Sequence, residues 1–319
     1  MNAYYPRPGL RNPHVQSIAP SLLRYVPNHF SRHQLELPDG DFLLLDWQRQ
    51  NSHRLVILSH GLEGHSRRAY VAGMARAFFR QGYDALAWNF RSCGGRLNRL
   101  PRFYHSGATE DLDAVVQHAV DLGYQQIVLV GFSMGGNLTL VYLGRHQVPD
   151  AIKAAVTFSV PCDLANCADQ LANTRNGFYM RRFLKDLQPK IEAKARQFPQ
   201  LISATDYHRL KNFHDFDACY TAPLHGFSSA NDYWHQSSAL HYLPNITIPT
   251  LLVNARDDSF LGPNCYPDEL AEKHRFLHFE APMHGGHVGF IRYQLWRELW
   301  SETRALQFVR QYLESPSHR

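Results

Sequence analysis

At 319 residues, with 44% apolar and 19% charged, the chain has the balance of a globular protein with a sizeable core, which excludes disorder, collagen-like repeats and coiled coil. No run approaches ~18 uninterrupted apolar residues, and MNAYYPRPGLRNPHVQS lacks the basic-then-apolar layout of a signal peptide, so no spanning helix is expected and a cytoplasmic location is the default. The formal charge of +5 sits entirely in Arg175–Arg196, with seven basic residues against two acidic, and the neutral remainder argues against a nucleic-acid partner.

The elements follow in chain order. His33–Leu37 and Phe42–Trp47 flank Pro38-Asp39-Gly40 and read as an antiparallel hairpin. Short apolar runs come next, at Leu55–Leu58, Tyr83–Trp88, Ile127–Val130, Ala154–Phe158, Thr250–Val253 and Phe276–Phe279. Nearly continuous aliphatic runs of this kind suit strands buried on both faces of a parallel sheet. Helical patterns fall between them, at about Arg68–Gln81, Thr109–Leu122, Met134–Arg145 and Tyr293–Leu313. The alternation predicts one α/β domain over the whole chain, a mostly parallel twisted sheet with helices on both faces.

The alternation stops between about Asp163 and Pro244. That interval reads as a helical insertion over the C-terminal edge of the sheet, where open α/β sheets bind ligands. Met180, Phe183, Leu184, Leu187 and Ile191 recur at helical spacing, with Pro189 expected to separate two short helices. The basic residues here read either as a solvated outer face or as an attraction for acidic substrates or an anionic membrane surface. The five cysteines are scattered and form no CxxC pair, so they read as reduced, mostly buried thiols.

Chemistry concentrates at Gly131-Phe132-Ser133-Met134-Gly135, a G-x-S-x-G turn between the strand IVLV and a helix. The turn lifts a serine on a strained elbow, and its glycines let strand and helix pack closely. A serine hydroxyl needs a base, and the chain order serine, acid, histidine points to His284-Gly285-Gly286-His287. His287 is preferred over His284 because it directly precedes the Val-Gly-Phe entry to the last helix. A metal-binding reading of that pair lacks a matching Cys, Asp or Glu cluster. For the acid, Asp257 and Asp258 both leave the strand TLLV; Asp258 is preferred, with Asp257 capping the turn. Leu62, in the loop Ser59-His60-Gly61-Leu62-Glu63-Gly64, and Met134 are assigned as backbone N–H donors to an oxyanion. His60 reads as a structural loop residue. No dinucleotide fingerprint, P-loop or metal motif is present, so no cofactor is expected.

Further motifs are Asn12-Pro13-His14-Val15-Gln16-Ser17, Asn89-Phe90-Arg91-Ser92-Cys93-Gly94-Gly95, Tyr104-His105-Ser106-Gly107, Gly226-Phe227 with Asp232-Tyr233, and His287-Val288-Gly289-Phe290. Together with the elbow this set resembles the YheT-like branch of the α/β-hydrolases, nearly end to end. That resemblance implies an α/β-hydrolase fold and a Ser–Asp–His hydrolase, with Ser133, Asp258 and His287 at the matching positions. The branch is related to eukaryotic membrane-anchored hydrolases with esterase and phospholipase activity, whose lipid substrates do not transfer directly. Ser17 and Ser259 stand where Thr and Pro are commoner, and neither is expected to touch the triad. The expected function is hydrolysis of small-molecule or lipid-like carboxylic esters. Thioesterase, lipase and acyltransferase chemistry use the same residues, and a non-catalytic ligand-binding module is the alternative from another class. Acyl-chain length and oligomeric state are not legible.

Overall fold

The computed structural model describes residues 4–173 and 177–313, which leaves Arg175 outside it. Eight strands form one sheet among the described residues: β1 Ser31–Glu36, β2 Phe42–Gln48, β3 Arg54–Ser59, β4 Asp84–Asn89, β5 Gln126–Phe132, β6 Ile152–Phe158, β7 Thr250–Val253 and β8 Leu277–Glu280. Their spatial order is β1-β2-β4-β3-β5-β6-β7-β8. β1 and β2 pair antiparallel, as do β2 and β4, and every later pairing is parallel.

The first hairpin turns where Gly40 takes φ +83°, a left-handed conformation that glycine adopts at little cost. Asp39 accepts the Asp41 N–H at 3.1 Å and steadies the same turn.

Alternation within each central strand explains the apolar runs. Leu55 and Ile57 of β3 pack in one core, with Leu112, Val115, Leu138 and Tyr142, while Val56 and Leu58 pack in the other, with Val71, Phe78 and Phe308. Both faces are therefore covered, as a parallel sheet requires. The first face carries α3 (Thr109–Asp121) and α4 (Met134–Arg145). α2 (Ala69–Phe79) and the terminal helix cover the second.

Between β6 and β7 the chain runs through α5 (Leu164–Ala172), α6 (Gly177–Gln197), α7 (Phe213–Phe216), a π-helical turn (Asp217–Thr221), α8 (Ala222–His225) and α9 (Ala230–Ser237). α10 (Asp268–Lys273) and α11 (Trp300–Leu313) follow β7 and β8 respectively. Among the described residues no helix is long and apolar enough to cross a membrane.

Three expectations need correction. α6 passes through Pro189 without breaking into two helices. Proline costs the helix one hydrogen bond, but buried Leu184, Leu187, Lys190, Ile191 and Lys194 hold both sides of it in place. Nor is the basic stretch simply solvated, because Lys190 and Lys194 are buried. The last helix begins at Trp300 rather than Tyr293, since Glu302 reaches back to accept the Leu299 N–H at 3.1 Å and caps it there. Sequence reading also missed α1 (Pro13–Leu23), whose start is capped by the Asn12 side chain accepting from His14 and Val15.

Candidate active site

β5 ends at Phe132 and α4 begins at Met134, so Ser133 is the whole turn between them. It adopts φ 52° and ψ −122°, a conformation that side chains rarely take. A Cβ at Gly131 would lie 2.5 Å from the Gly135 carbonyl oxygen, and one at Gly135 would overlap the carbonyls of Ser59 and His60. Glycine at both places is thus a condition of the close approach. Seven described non-glycine residues have positive φ, and five of them (Glu63, Ser133, Ser159, Val288 and Phe290) surround this turn or the loop that faces it. Strain is concentrated here, where the surrounding packing can hold it.

The loop after β8 brings His287 to the serine. Its Nε2 lies 2.8 Å from Ser133 Oγ, and its Nδ1 lies 2.9 Å from Asp258 Oδ2 and 3.2 Å from Oδ1. Asp258 leaves the end of β7, and its side chain is fully buried. Its Oδ1 also accepts the Phe260 N–H at 3.0 Å, which fixes the carboxylate plane. Three residues that are distant in sequence make one hydrogen-bonded row able to relay a proton from hydroxyl to imidazole.

The neighbouring Asp and His form a separate pair. Asp257 accepts the Gly286 N–H at 2.9 Å and faces His284 Nδ1 at 3.3 Å, so it holds the histidine loop from the side. Burial raises its pKa despite the opposing pull of Gly286 and His284.

Opposite the elbow, Gly61 N–H donates to Tyr70 OH at 3.0 Å, and Glu63 N–H donates to Tyr104 OH at 3.3 Å. Between them the Leu62 N–H has no partner among the described residues, and neither has that of Met134 in the first turn of α4. Helix N-termini favour negative charge, so the Met134 N–H at the start of α4 lies where an anion would be stabilised. His60 is fully buried, its Nδ1 2.7 Å from Gly61 O and its Nε2 3.2 Å from the Phe90 nitrogen. Burial pushes its pKa down to about 3, leaving a neutral ring that braces the loop.

Sequence reading missed the support under His287. Ser17 of α1 accepts the His287 backbone N–H at 2.8 Å, so this departure from the commoner residue does touch the row. Gln16, fully buried, accepts the Ile291 N–H at 2.8 Å and donates to Ile291 O at 3.1 Å. Ser159 Oγ accepts the Val288 N–H at 2.8 Å. The Asn12–Ser17 motif was visible, but nothing local in it shows that it grips a loop some 275 positions away.

Two spaces meet at Ser133 and His287. A cavity of about 120 Å³ is walled by apolar side chains, among them Leu164, Leu171, Phe183, Leu187, Phe216 and Trp234. On the other side lies a cleft of about 180 Å³ whose wall includes Ser17, Ser21, Arg68, Arg182 and Asp186. Among the described residues no group of three His, Cys, Asp or Glu could hold a metal ion.

Comparison with known proteins matches residues 54–292 to the alpha/beta hydrolase fold family. The chain belongs to the α/β-hydrolase fold family. Within it this hydrolase falls in the YheT-like branch, being 33% identical to "Putative esterase YheT" of Escherichia coli (strain K12) over 98% of this chain and 95% of that one. It is also 29% identical to Phospholipase ABHD3 of Mus musculus, over 86% of this chain and 69% of that one. Among solved structures, the Pyrococcus furiosus esterase Pf2001 superposes with a TM-score of 0.60 at 19% identity, covering 91% of this α/β-hydrolase and 98% of the other, a likeness of fold.

Proposed function

We propose that this α/β-hydrolase cleaves carboxylic esters through Ser133, His287 and Asp258. The observation that carries the reading is the continuous row from Ser133 Oγ to His287 Nε2 at 2.8 Å and from His287 Nδ1 to Asp258 Oδ2 at 2.9 Å. Ser133 Oγ attacks the ester carbonyl carbon while its proton passes to His287 Nε2, and the carbonyl oxygen becomes an oxyanion at the Leu62 and Met134 N–H groups. The imidazolium, held in orientation by Asp258, gives that proton to the leaving alcohol, and an acyl-enzyme remains. Water then attacks the acyl carbon, loses a proton to His287, and the acid leaves as Ser133 recovers its own.

The two spaces divide the substrate. The acyl chain occupies the apolar cavity, and the alcohol occupies the cleft beside Arg68 and Arg182. Residues 163–244 act as a cap, supported by the contribution of Phe183, Leu187, Phe216 and Trp234 to the cavity wall. The Mus musculus relative's name, a phospholipase, favours lipid esters with a charged head group as the physiological class.

A fluorophosphonate probe tests the reading by labelling Ser133, alongside a panel of esters of varied acyl length and head group. Labelling lost in Ser133→Ala, with turnover in the wild type, is the expected result. Tight ligand binding that survives Ser133→Ala, with neither labelling nor turnover in the wild type, would establish a binding module instead.

A further inference from the structure

α6 does more than wall the cavity. Phe183 and Leu187 face the acyl space, and one and two turns further on the same helix sends Lys190 and Lys194 inward. Lys194 donates to the carbonyl oxygens of Asn98, at 2.8 Å, and Leu100. Lys190, 8% exposed, reaches Glu63 Oε1 at 2.5 Å. Glu63 directly follows Leu62, and it is one of the strained residues, with φ 51°.

Glu63 is engaged a second time, by Tyr104, through its backbone N–H and its carboxylate. Tyr104 OH accepts the Glu63 N–H and donates to the same carboxylate, and its ring lies 4.7 Å from Lys190 Nζ. Cys93 Sγ lies 3.5 Å from Lys190 Nζ. Removing an ammonium and a carboxylate from water costs several kcal/mol per ion, so a buried pair of this kind is a poor source of stability compared with apolar packing. Its distinctive contribution is direction: it holds one side chain of a strained turn in one place.

We propose that Lys190 is a positioning residue for the oxyanion site, clamping Glu63 so that the Leu62 N–H points at the carbonyl oxygen of the substrate. The proposal rests on the assignment of Leu62 as an oxyanion donor. Lys190 touches neither substrate nor reacting atoms; it acts through Glu63. The insertion thereby completes the site that it covers, since a lysine from the helix over the cavity sets the aim of a loop at the end of β3.

The test compares binding of a transition-state mimic with that of substrate. A trifluoromethyl ketone adds Ser133 Oγ to its carbonyl carbon, the hydroxyl proton passes to His287, and the resulting oxyanion needs the same N–H donors. In Lys190→Met the inhibition constant for this ketone should rise about 30-fold and kcat should fall to match, part of the 10²–10³ lost when a donor is removed outright. KM should change less than about threefold, because ground-state binding does not use the oxyanion donors strongly. Lys190→Arg should recover most of the loss. Should Lys190→Met fail to fold, Glu63→Gln, which keeps the shape of the side chain, should give the same split between ketone binding and KM. An active wild type whose variants lose thermal stability but keep the ratio of ketone affinity to KM overturns the role of Lys190 alone. A wild type that neither turns over esters nor reacts with a fluorophosphonate overturns the reading of the site, and the proposal with it.

Discussion

The ring of Phe260 lies flat against the imidazole of His287, with 4.1 Å between centroids and 17° between planes. Phe260 stands two residues beyond Asp258 and donates its backbone N–H to that carboxylate. One short loop after β7 therefore supplies Asp258, fixes its carboxylate and covers one face of the His287 ring. A stacked ring restricts rotation of the imidazole.

Phe260→Ala should lower kcat about tenfold with a smaller change in KM, whereas Phe260→Tyr should stay near wild type. Steady-state kinetics on a short p-nitrophenyl ester would show it. Equal activity in Phe260→Ala would mean that the Asp258 bond alone orients the ring.

The acid assignment has a sharper consequence. Asp258→Asn should cost on the order of 10⁴-fold in kcat by favouring the wrong tautomer of His287, as in serine proteases. Asp257→Asn, which disturbs only the Gly286 and His284 contacts, should cost far less. A reversed order of the two effects would transfer the role of acid to Asp257.

Ser17 offers a test of the N-terminal support. Ser17→Ala removes the acceptor for the His287 N–H and should reduce kcat about tenfold through misplacement of the ring. Ser17→Thr keeps the hydroxyl and should restore activity. Ester turnover by the two variants, measured beside their melting temperatures, separates placement from folding.

Buried His225 controls part of the acid stability. Neither ring nitrogen has a hydrogen-bond partner among the described residues, and burial, then Arg102 and Arg91, push its pKa down to about 3 from an ordinary 6.5. The unfolded chain therefore binds a proton that the folded chain refuses, so stability falls as pH drops from about 6.5 towards 3. At pH 5 this single group costs about 2 kcal/mol. His225→Phe should relieve that loss and should also add about 1 kcal/mol at pH 7 by removing buried polar atoms. Thermal melts at pH 7 and pH 5 should show a gain in both, larger at pH 5.

Ala168 lines the apolar cavity at 7% exposure. Ala168→Phe should fill part of the acyl space and cut kcat/KM for a long-chain ester by about 100-fold, with a smaller loss for an acetate. A uniform loss across chain lengths would place the acyl group elsewhere.

The sheet was readable because each central strand is buried on both faces and so keeps an unbroken apolar run; Leu55–Leu58 and Thr250–Val253 are examples. That Ser133, His287 and Asp258 would come together was readable because the elbow motif and the chain order are local signals. The roles of Ser17, Gln16 and Lys190 were not, because each acts across a large sequence separation and its residue type is ordinary on a surface. Lysines at helical spacing look solvated until the fold places Glu63 and two carbonyl oxygens beneath them. Pro189 was misread for a related reason: local propensity argues for a break, and tertiary packing overrides it.

The grip of α1 on the histidine loop also bears on how the molecule matures. During synthesis the elbow and the Leu62 turn leave the ribosome well before residues 284–291, so Gln16 and Arg24 wait for Ile291 and Glu302, their partners almost a whole chain later. Until then Gln16 has no Ile291 to hold and His287 has not been made. The nascent chain can complete much of its sheet before the row from Ser133 to Asp258 exists. Contacts so distant in sequence are slow to close, and these hold the loop that brings His287 to Ser133.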